Sequence, residues 1–310
     1  MILVCLMYAL FASTFVIGKL ALLYISPLLF IGIRMLIGGS ILLLYYRFIA
    51  KNKLTINKKD YNDFGKIIFF HIFCAYTLEF FALEYIQTAK ACLAYNLSPF
   101  FTAYFSYYLF SEKLTKQQFA GLLIGFIGFL PMLLTSSYTT NFCTIKSCCI
   151  SIYDIALLIS VASSAYGWII MKKLIDKKYS FLLINSIGMI GGGIIAFLLS
   201  LAYEGAPQLK NAPTVCPLLA HCYGPTTEKL IMLSIYSLSL IVIANIICYN
   251  LYAYLLSRYS PTLLSFAGFL TPLFAALFGW VFLQEALTCK FFITIIIVFI
   301  GLYIFSLKKQ

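Results

Sequence analysis

The stretch SPFFTAYFSYYLFSEKLT, residues 98–115, returns as TPLFAALFGWVFLQEALT at residues 271–288. The copies register without a gap, and the register runs past both ends. Leu97, Pro99, Phe101, Ala103, Phe105, Glu112, Leu114, Thr115, Phe119 and Gly128 match Leu270, Pro272, Phe274, Ala276, Phe278, Glu285, Leu287, Thr288, Phe292 and Gly301. Apolar sequence generates chance matches, but Pro, Glu, Thr and Gly in step do not follow from hydrophobicity. The same register pairs Tyr76 with Tyr249, and a second one aligns SPLLFIGIRMLIGG (26–39) with SFLLINSIGMIGGG (180–193). The chain carries an internal duplication.

Composition says where the duplicated units sit. Of 310 residues, 63% are hydrophobic and 10% charged, with a mean hydropathy of +0.98. Soluble domains carry roughly 25% charged residues. Apolar runs of about 18 or more residues read as spanning helices, because lipid offers no partner to an open backbone. Ten spans are expected, near 2–23, 27–49, 65–83, 89–110, 117–135, 154–171, 180–202, 230–255, 261–283 and 291–307. The first lacks the basic start and the small-residue cleavage site of a signal peptide. Five spans per unit is an odd number, so the second unit enters the membrane the other way round. The expected fold is an all-α polytopic membrane protein with ten transmembrane helices in two inverted five-helix repeats. The units are 1–135 and 154–310, joined by a cysteine-containing loop at 136–153. Inverted repeats are the architecture of secondary transporters, with a site near the midplane.

The net charge of +12 is distributed by side. With a cytoplasmic N-terminus, cytoplasmic connections hold fifteen Lys and Arg residues and the opposite side five, leaving Lys19 and Arg34 inside spans. The positive-inside rule then places both termini in the cytoplasm. This charge is a topology signal, not a nucleic-acid one.

The matched prolines, Pro99 and Pro272, fall well inside spans four and nine. Each removes a backbone donor, so a kink or hinge beside a central cavity is expected, as is plain helix packing. A proline-bearing helix, a Glu-Lys-Leu-Thr turn and a glycine-rich next helix, present twice, resemble the drug/metabolite transporter superfamily, EamA-like branch. The residues are Pro99, Glu112, Lys113, Leu114, Thr115, Gly121, Gly125 and Gly128, then Pro272, Glu285, Leu287, Thr288 and Gly301. FASTFVIGKLAL (11–22) and SPLLFIGIRML (26–36) are similar to the family's opening helices. The resemblance implies ten helices, a central cavity and transport without ATP hydrolysis. It leaves the solute open, since the superfamily carries amino acids, nucleotide-linked sugars, S-adenosylmethionine and drugs.

Candidate solute contacts are the polar and aromatic groups inside spans. A charge at a helix centre costs roughly 2.5–3.5 kcal/mol on insertion scales, so each needs a partner or a task. Lys19, Arg34 and Glu79 are expected at similar depth on three consecutive helices. The competing roles are an ion pair locking those helices and, for Lys19, snorkelling outward. Their counterparts in the second unit are Lys172, Gly188 and Tyr252. Asn96, Asn245 and Asn250 are either solute ligands or interhelical hydrogen-bond partners. Tyr76, Tyr166, Trp168 and Tyr249 supply cavity aromatics, Trp168 alternatively serving in an interface belt. His71 is a candidate proton carrier or a satisfied helix contact. Gly191, Gly192 and Gly193 permit close helix approach. Glu112 and Glu285 are expected to tie their turns.

Ten cysteines leave redox open. Cys143, Cys148, Cys149, Cys216 and Cys222 fall in the two longest loops on the non-cytoplasmic side, where disulfides are possible in an oxidising compartment. No zinc-type spacing accompanies His221, so no metal is expected. No cofactor is expected either. With no H-E-x-x-H and no G-x-x-x-x-G-K-[ST], an intramembrane metalloprotease and an ATP-driven pump within the chain are disfavoured. A channel would show a filter or charged rings, which the sequence lacks.

The expected function is a non-ATP secondary transporter, not an enzyme, in the cell (inner) membrane. Its solute is an amino acid or a derivative such as S-adenosylmethionine, moved by alternating access or exchange. The alternatives are nucleotide sugars or drugs. The expected partners are the small solute and the lipid bilayer, with the chain a monomer or homodimer.

Overall fold

The computed structural model describes residues 2–51, 54–86, 91, 94–112, 114–136, 151–203, 210, 225–274, 277 and 289–306, and the regular elements among them are all helical. In chain order they are α1 (Ile2–Ala21), α2 (Pro27–Leu44), α3 (Tyr61–Lys66), α4 (Ala75–Tyr85), α5 (Ser98–Phe110) and α6 (Lys116–Ser136). There follow α7 (Ile152–Asp176), α8 (Phe181–Tyr203), α9 (Pro225–Leu240), α10 (Tyr249–Leu256), α11 (Pro261–Ala267) and α12 (Cys289–Ser306). Six stretches are long and apolar enough to cross a membrane: Ile2–Ala21, Pro27–Ile49, Lys58–Tyr85, Ile152–Asp176, Phe181–Tyr203 and Thr226–Leu256. Helices α5, α6, α11 and α12 occupy the places where the other four spans are expected. The cysteines at 143, 148, 149, 216 and 222, His221, Lys113 and the Glu285–Thr288 turn lie outside the described residues.

Two helices change their winding at related places. Ile67–Cys74, between α3 and α4, and Ile241–Cys248, between α9 and α10, are π-helical. They are one residue off the register that pairs Tyr76 with Tyr249. Such segments concentrate at functional sites, because the wider turn re-aims the residues that follow. Here Tyr76 and Glu79 follow one segment, and Tyr249 and Tyr252 the other.

The prolines mark breaks rather than mid-helix bends. Pro99 is in the first turn of α5, after a 3-10 turn at Tyr95–Leu97. Pro272 follows the turn at Gly268–Phe269, where the Thr271 amide donates to the Gly268 carbonyl (2.9 Å). A helix start is where proline's missing N–H costs least.

The Glu-Lys-Leu-Thr turn is explained by its hydrogen bonds. Ser106 Oγ donates to Glu112 Oε2 (2.7 Å), tying the turn as expected. The Thr115 amide donates to Gln118 Oε1 (3.0 Å) and the Gln118 amide to Thr115 Oγ1 (3.2 Å), a reciprocal cap that starts α6.

Two close pairs hold the helices together: α2 on α8, and α6 on α12. A Cβ on Gly32 would lie 2.9 Å from the Phe197 backbone, and one on Gly193 would lie 3.0 Å from the Leu36 amide. Gly191 and Gly192 face Ile68 and Ile72 just as closely. Between α6 and α12 the contact is reciprocal, since a Cβ on Gly121 or Gly301 would meet the other's carbonyl at 2.8 Å. In lipid, helices gain by such close approach rather than by hydrophobic exclusion.

Candidate functional site

The breaks, the π-helical segments and the helix crossings leave a cavity with a water-accessible volume of about 100 Å³. Helices from both halves of the chain wall it: α1, α2, α4 and α5 from the first, α7, α10 and α11 from the second. Among the described residues two charged ones line it, Arg34 and Glu79; the rest of that lining is aromatic, hydroxyl-bearing or small.

Arg34 is 1% exposed, and among the described residues its Nε and Nη2 find no hydrogen-bond partner. Three ring faces surround the guanidinium: Phe80 at 4.9 Å, Tyr76 at 5.1 Å and Phe30 at 5.5 Å from the centroid. Such contacts offset part of the desolvation, roughly 0.5–2 kcal/mol each. Glu79 Oε2 accepts the Tyr95 hydroxyl at 2.7 Å. The expected cluster of three charges is therefore a cluster of two. Lys19 turns away and donates to the Ile86 carbonyl, at the C-terminal end of α4, where a cation meets the helix's negative pole.

An aromatic wall lines the same cavity. Trp168 stacks on Tyr252 with centroids 3.9 Å apart and planes inclined by 26°. Tyr249 lies 5.1 Å from Trp168 and 5.9 Å from Tyr76. The His71 ring packs edge-on against Trp168 at 4.3 Å, behind the wall. His71 is fully buried beside Gly167, whose missing side chain makes its room. It does not line the cavity.

A hydroxyl patch completes the lining where the helices break. Ser98 Oγ is 2.9 Å from Ser265 Oγ, and Thr102 Oγ1 donates to Ser265 Oγ at 3.0 Å.

Of the residues singled out from the sequence, Arg34, Tyr76, Glu79, Trp168 and Tyr249 meet at the cavity. The structure does not bring Lys19, Asn96, Tyr166, Asn245 or Asn250 there. Asn96 is buried within the 3-10 turn. Tyr166 packs edge-on against Phe70 and Phe105. Asn245 donates to Met35 Sδ (3.1 Å), and Asn250 Oδ1 accepts from Asn185 Nδ2 (2.9 Å), both between helices. Trp168 faces the cavity rather than a membrane interface. Sequence reasoning missed Tyr8, Phe11, Phe15, Tyr95, Tyr252 and the hydroxyl patch. Tyr252 had a signal, as the counterpart of Glu79.

Polar contacts tie the chain at two places beyond the cavity. Lys177 bridges Asp60 (2.5 Å) and Asp63 (3.1 Å), Lys173 reaches Asp63 (3.0 Å), and the Tyr179 hydroxyl donates to Asp60 (2.7 Å). Hydrogen bonds to Asp60 and Asp63 raise the Lys177 ammonium above the usual lysine range. Elsewhere, Lys210 pairs with Glu84, and its backbone amide donates to the Tyr24 carbonyl (2.9 Å).

The chain has known relatives. The EamA-like transporter family model matches residues 1–134 and 151–307. The chain belongs to that family. The chain is 29% identical over 285 residues to the S-adenosylmethionine/S-adenosylhomocysteine transporter of Chlamydia muridarum, covering 89% of this chain and 81% of that one. The protein of the same name from Chlamydia trachomatis serovar L2 is 28% identical over 277 residues, covering 89% and 79%. A probable amino-acid metabolite efflux pump of Salmonella typhimurium is 26% identical over 299 residues, covering 94% and 89%. A crystal structure at 15% identity shares the fold, with a TM-score of 0.66 over 98% of this chain and 94% of that one. As an EamA-like protein the chain is a multi-pass membrane transporter.

Proposed function

We propose that the chain carries S-adenosylmethionine and S-adenosylhomocysteine across the cell (inner) membrane by alternating access, without ATP hydrolysis and without acting as an enzyme. One observation carries this reading: a single cavity holds a buried Arg34, a buried Glu79 and a stacked aromatic wall. An adenosyl amino acid presents a zwitterionic end, a flat base and, in S-adenosylmethionine, a sulfonium cation. Base stacking on aromatic side chains contributes roughly 1–3 kcal/mol per base, and cations gain from the same faces. The names of the chlamydial relatives point to the same pair of solutes. A nucleotide sugar would bring phosphates into a cavity where, among the described residues, the one cationic side chain stands near a carboxylate.

The architecture proposed is ten helices in two inverted five-helix units, 1–135 and 154–310, with both termini cytoplasmic, the chain being a monomer or homodimer. Helix packing supports it. A two-fold relating the units would pair α2 with α8 and α6 with α12 on its axis, and these are the close pairs. The same operation exchanges the α4–α7 contact for that of α1 with Ile241–Cys248, which is also made.

On this topology the Asp60/Asp63 clasp closes the cytoplasmic side and the Lys210 contacts the outer side. The lysines of these pairs are partly open to solvent, which screens them and leaves them weak enough to break in a transport cycle. The double variant Asp60→Asn, Asp63→Asn is expected to open the cytoplasmic side. With the native cysteines replaced, a cavity Ser265→Cys should react at least threefold faster with a thiol reagent applied from that side. An unchanged rate would remove the clasp from the mechanism.

Counterflow tests the function itself. Proteoliposomes loaded with unlabelled S-adenosylhomocysteine should accumulate labelled S-adenosylmethionine above its outside concentration. Equilibration without overshoot would indicate a pore, and no uptake would reject the assignment.

A further inference from the structure

We infer that the α-carboxylate of the solute binds Arg34 and its α-ammonium binds Glu79, so the amino-acid end, rather than the adenosine, selects what enters. The assignment rests on the reading of this cavity as the S-adenosyl site. Its origin is an unmet demand in the structure. A guanidinium keeps its charge under all physiological conditions and presents five N–H donors. At Arg34, Nε and Nη2 are buried and unpartnered, and no ion pair to Arg34 forms among the described residues. The three rings around it answer the charge, but they do not supply the acceptor oxygens that the donors lack. A buried donor left unmade is costly.

A carboxylate suits those donors in number and shape, because its two oxygens match the guanidinium fork bidentately. Glu79 explains why the anion should carry a cation beside it. A lone anion, or a phosphate of higher charge, would be repelled by the Glu79 carboxylate. An α-amino acid brings its own ammonium. A carboxylate has about four lone-pair sites, and the Tyr95 hydroxyl takes one of those on Glu79, leaving capacity for an ammonium. The sulfonium of S-adenosylmethionine is then left to the ring faces, and its absence from S-adenosylhomocysteine unpairs no buried group. Both solutes are therefore expected to share one anchor, which suits exchange of one for the other.

The test uses the full chain in lipid nanodiscs and isothermal titration with three compounds. These are S-adenosylhomocysteine, its α-carboxamide, and 5′-methylthioadenosine, the adenosine thioether without the amino-acid end. Wild-type protein should bind the carboxamide at least tenfold more weakly than S-adenosylhomocysteine. Arg34→Gln should weaken S-adenosylhomocysteine binding at least tenfold while leaving 5′-methylthioadenosine within about twofold. If Arg34→Gln does not fold, the comparison of acid and carboxamide on wild-type protein decides alone. Equal affinity for acid and carboxamide would overturn the pose and leave the solute assignment standing. Wild-type protein that binds none of the S-adenosyl compounds would overturn the solute assignment, and the pose with it.

Discussion

Gly167→Ala is expected to lower the thermal midpoint of the protein and to abolish most of its transport. A Cβ at this position would lie 2.3 Å from both Cβ and Nδ1 of His71 and 2.4 Å from its Cγ. Real side chains do not approach so closely, so α7 and the Ile67–Cys74 segment must separate. Overpacking of this kind costs typically 1–3 kcal/mol. The functional loss should exceed the stability loss, because the next residue is Trp168, whose ring rests on His71 and forms the cavity wall. His71→Ala should rescue only in part, since the His71 Cβ is itself one of the clashing atoms. His71→Gly in the Gly167→Ala background should restore the midpoint more fully. Thermal unfolding in nanodiscs and solute uptake measure the two effects. A Gly167→Ala protein as stable and active as wild type would show that the packing between these segments is looser than the geometry requires.

Trp168→Ala is expected to weaken S-adenosylhomocysteine binding by about a hundredfold. Trp168 joins the Tyr252 and Tyr249 rings into one surface, stacking on the first and packing against the second, with His71 behind it. Its removal deletes the stacking face, roughly 1–3 kcal/mol per base, and lets the neighbouring rings collapse into the space. Trp168→Phe should cost less, because a flat face remains. Titration of folded variants separates binding from stability, and 5′-methylthioadenosine should lose affinity in parallel. That is the opposite of the pattern expected for Arg34→Gln. Binding within about threefold of wild type in Trp168→Ala would detach the aromatic wall from solute recognition.

Much of the site was legible in the sequence as depth and kind, and much less as direction. Arg34, Glu79, Tyr76, Trp168 and Tyr249 stood out because polar or amphipathic groups inside apolar spans need a reason to be there, and they do meet. Lys19 met the same criterion, but the nearby end of α4 supplied a closer acceptor, the Ile86 carbonyl. Asn245 and Asn250 also met it, and they serve helix contacts instead. Hydrophobicity fixes how deep a residue lies and leaves its azimuth around the helix open.

Azimuth is also where periodicity failed. A π-helical segment turns through fewer degrees per residue than an α-helix, so the face presented after Cys74 or Cys248 is not the one a 3.6-residue repeat projects. Tyr95 and the Ser98–Thr102–Ser265 hydroxyls escaped notice for a related reason. They gather where helices break, and a break was expected only as a bend at Pro99 and Pro272.

The sequence by itself determined the solvent, the duplication and the family. Each is written in local composition or in residues that recur in step, and none needs to know which helices touch. Tertiary structure alone decided that Arg34 is buried among rings with no ion pair among the described residues, that Glu79 answers to Tyr95, and that His71 lies behind Trp168 rather than in the cavity. Those facts depend on crossings between helices far apart in the chain, where a missing Cβ at Gly167 or Gly32 sets how closely two backbones approach. Such approach is a property of pairs of surfaces, and no single stretch of sequence contains both.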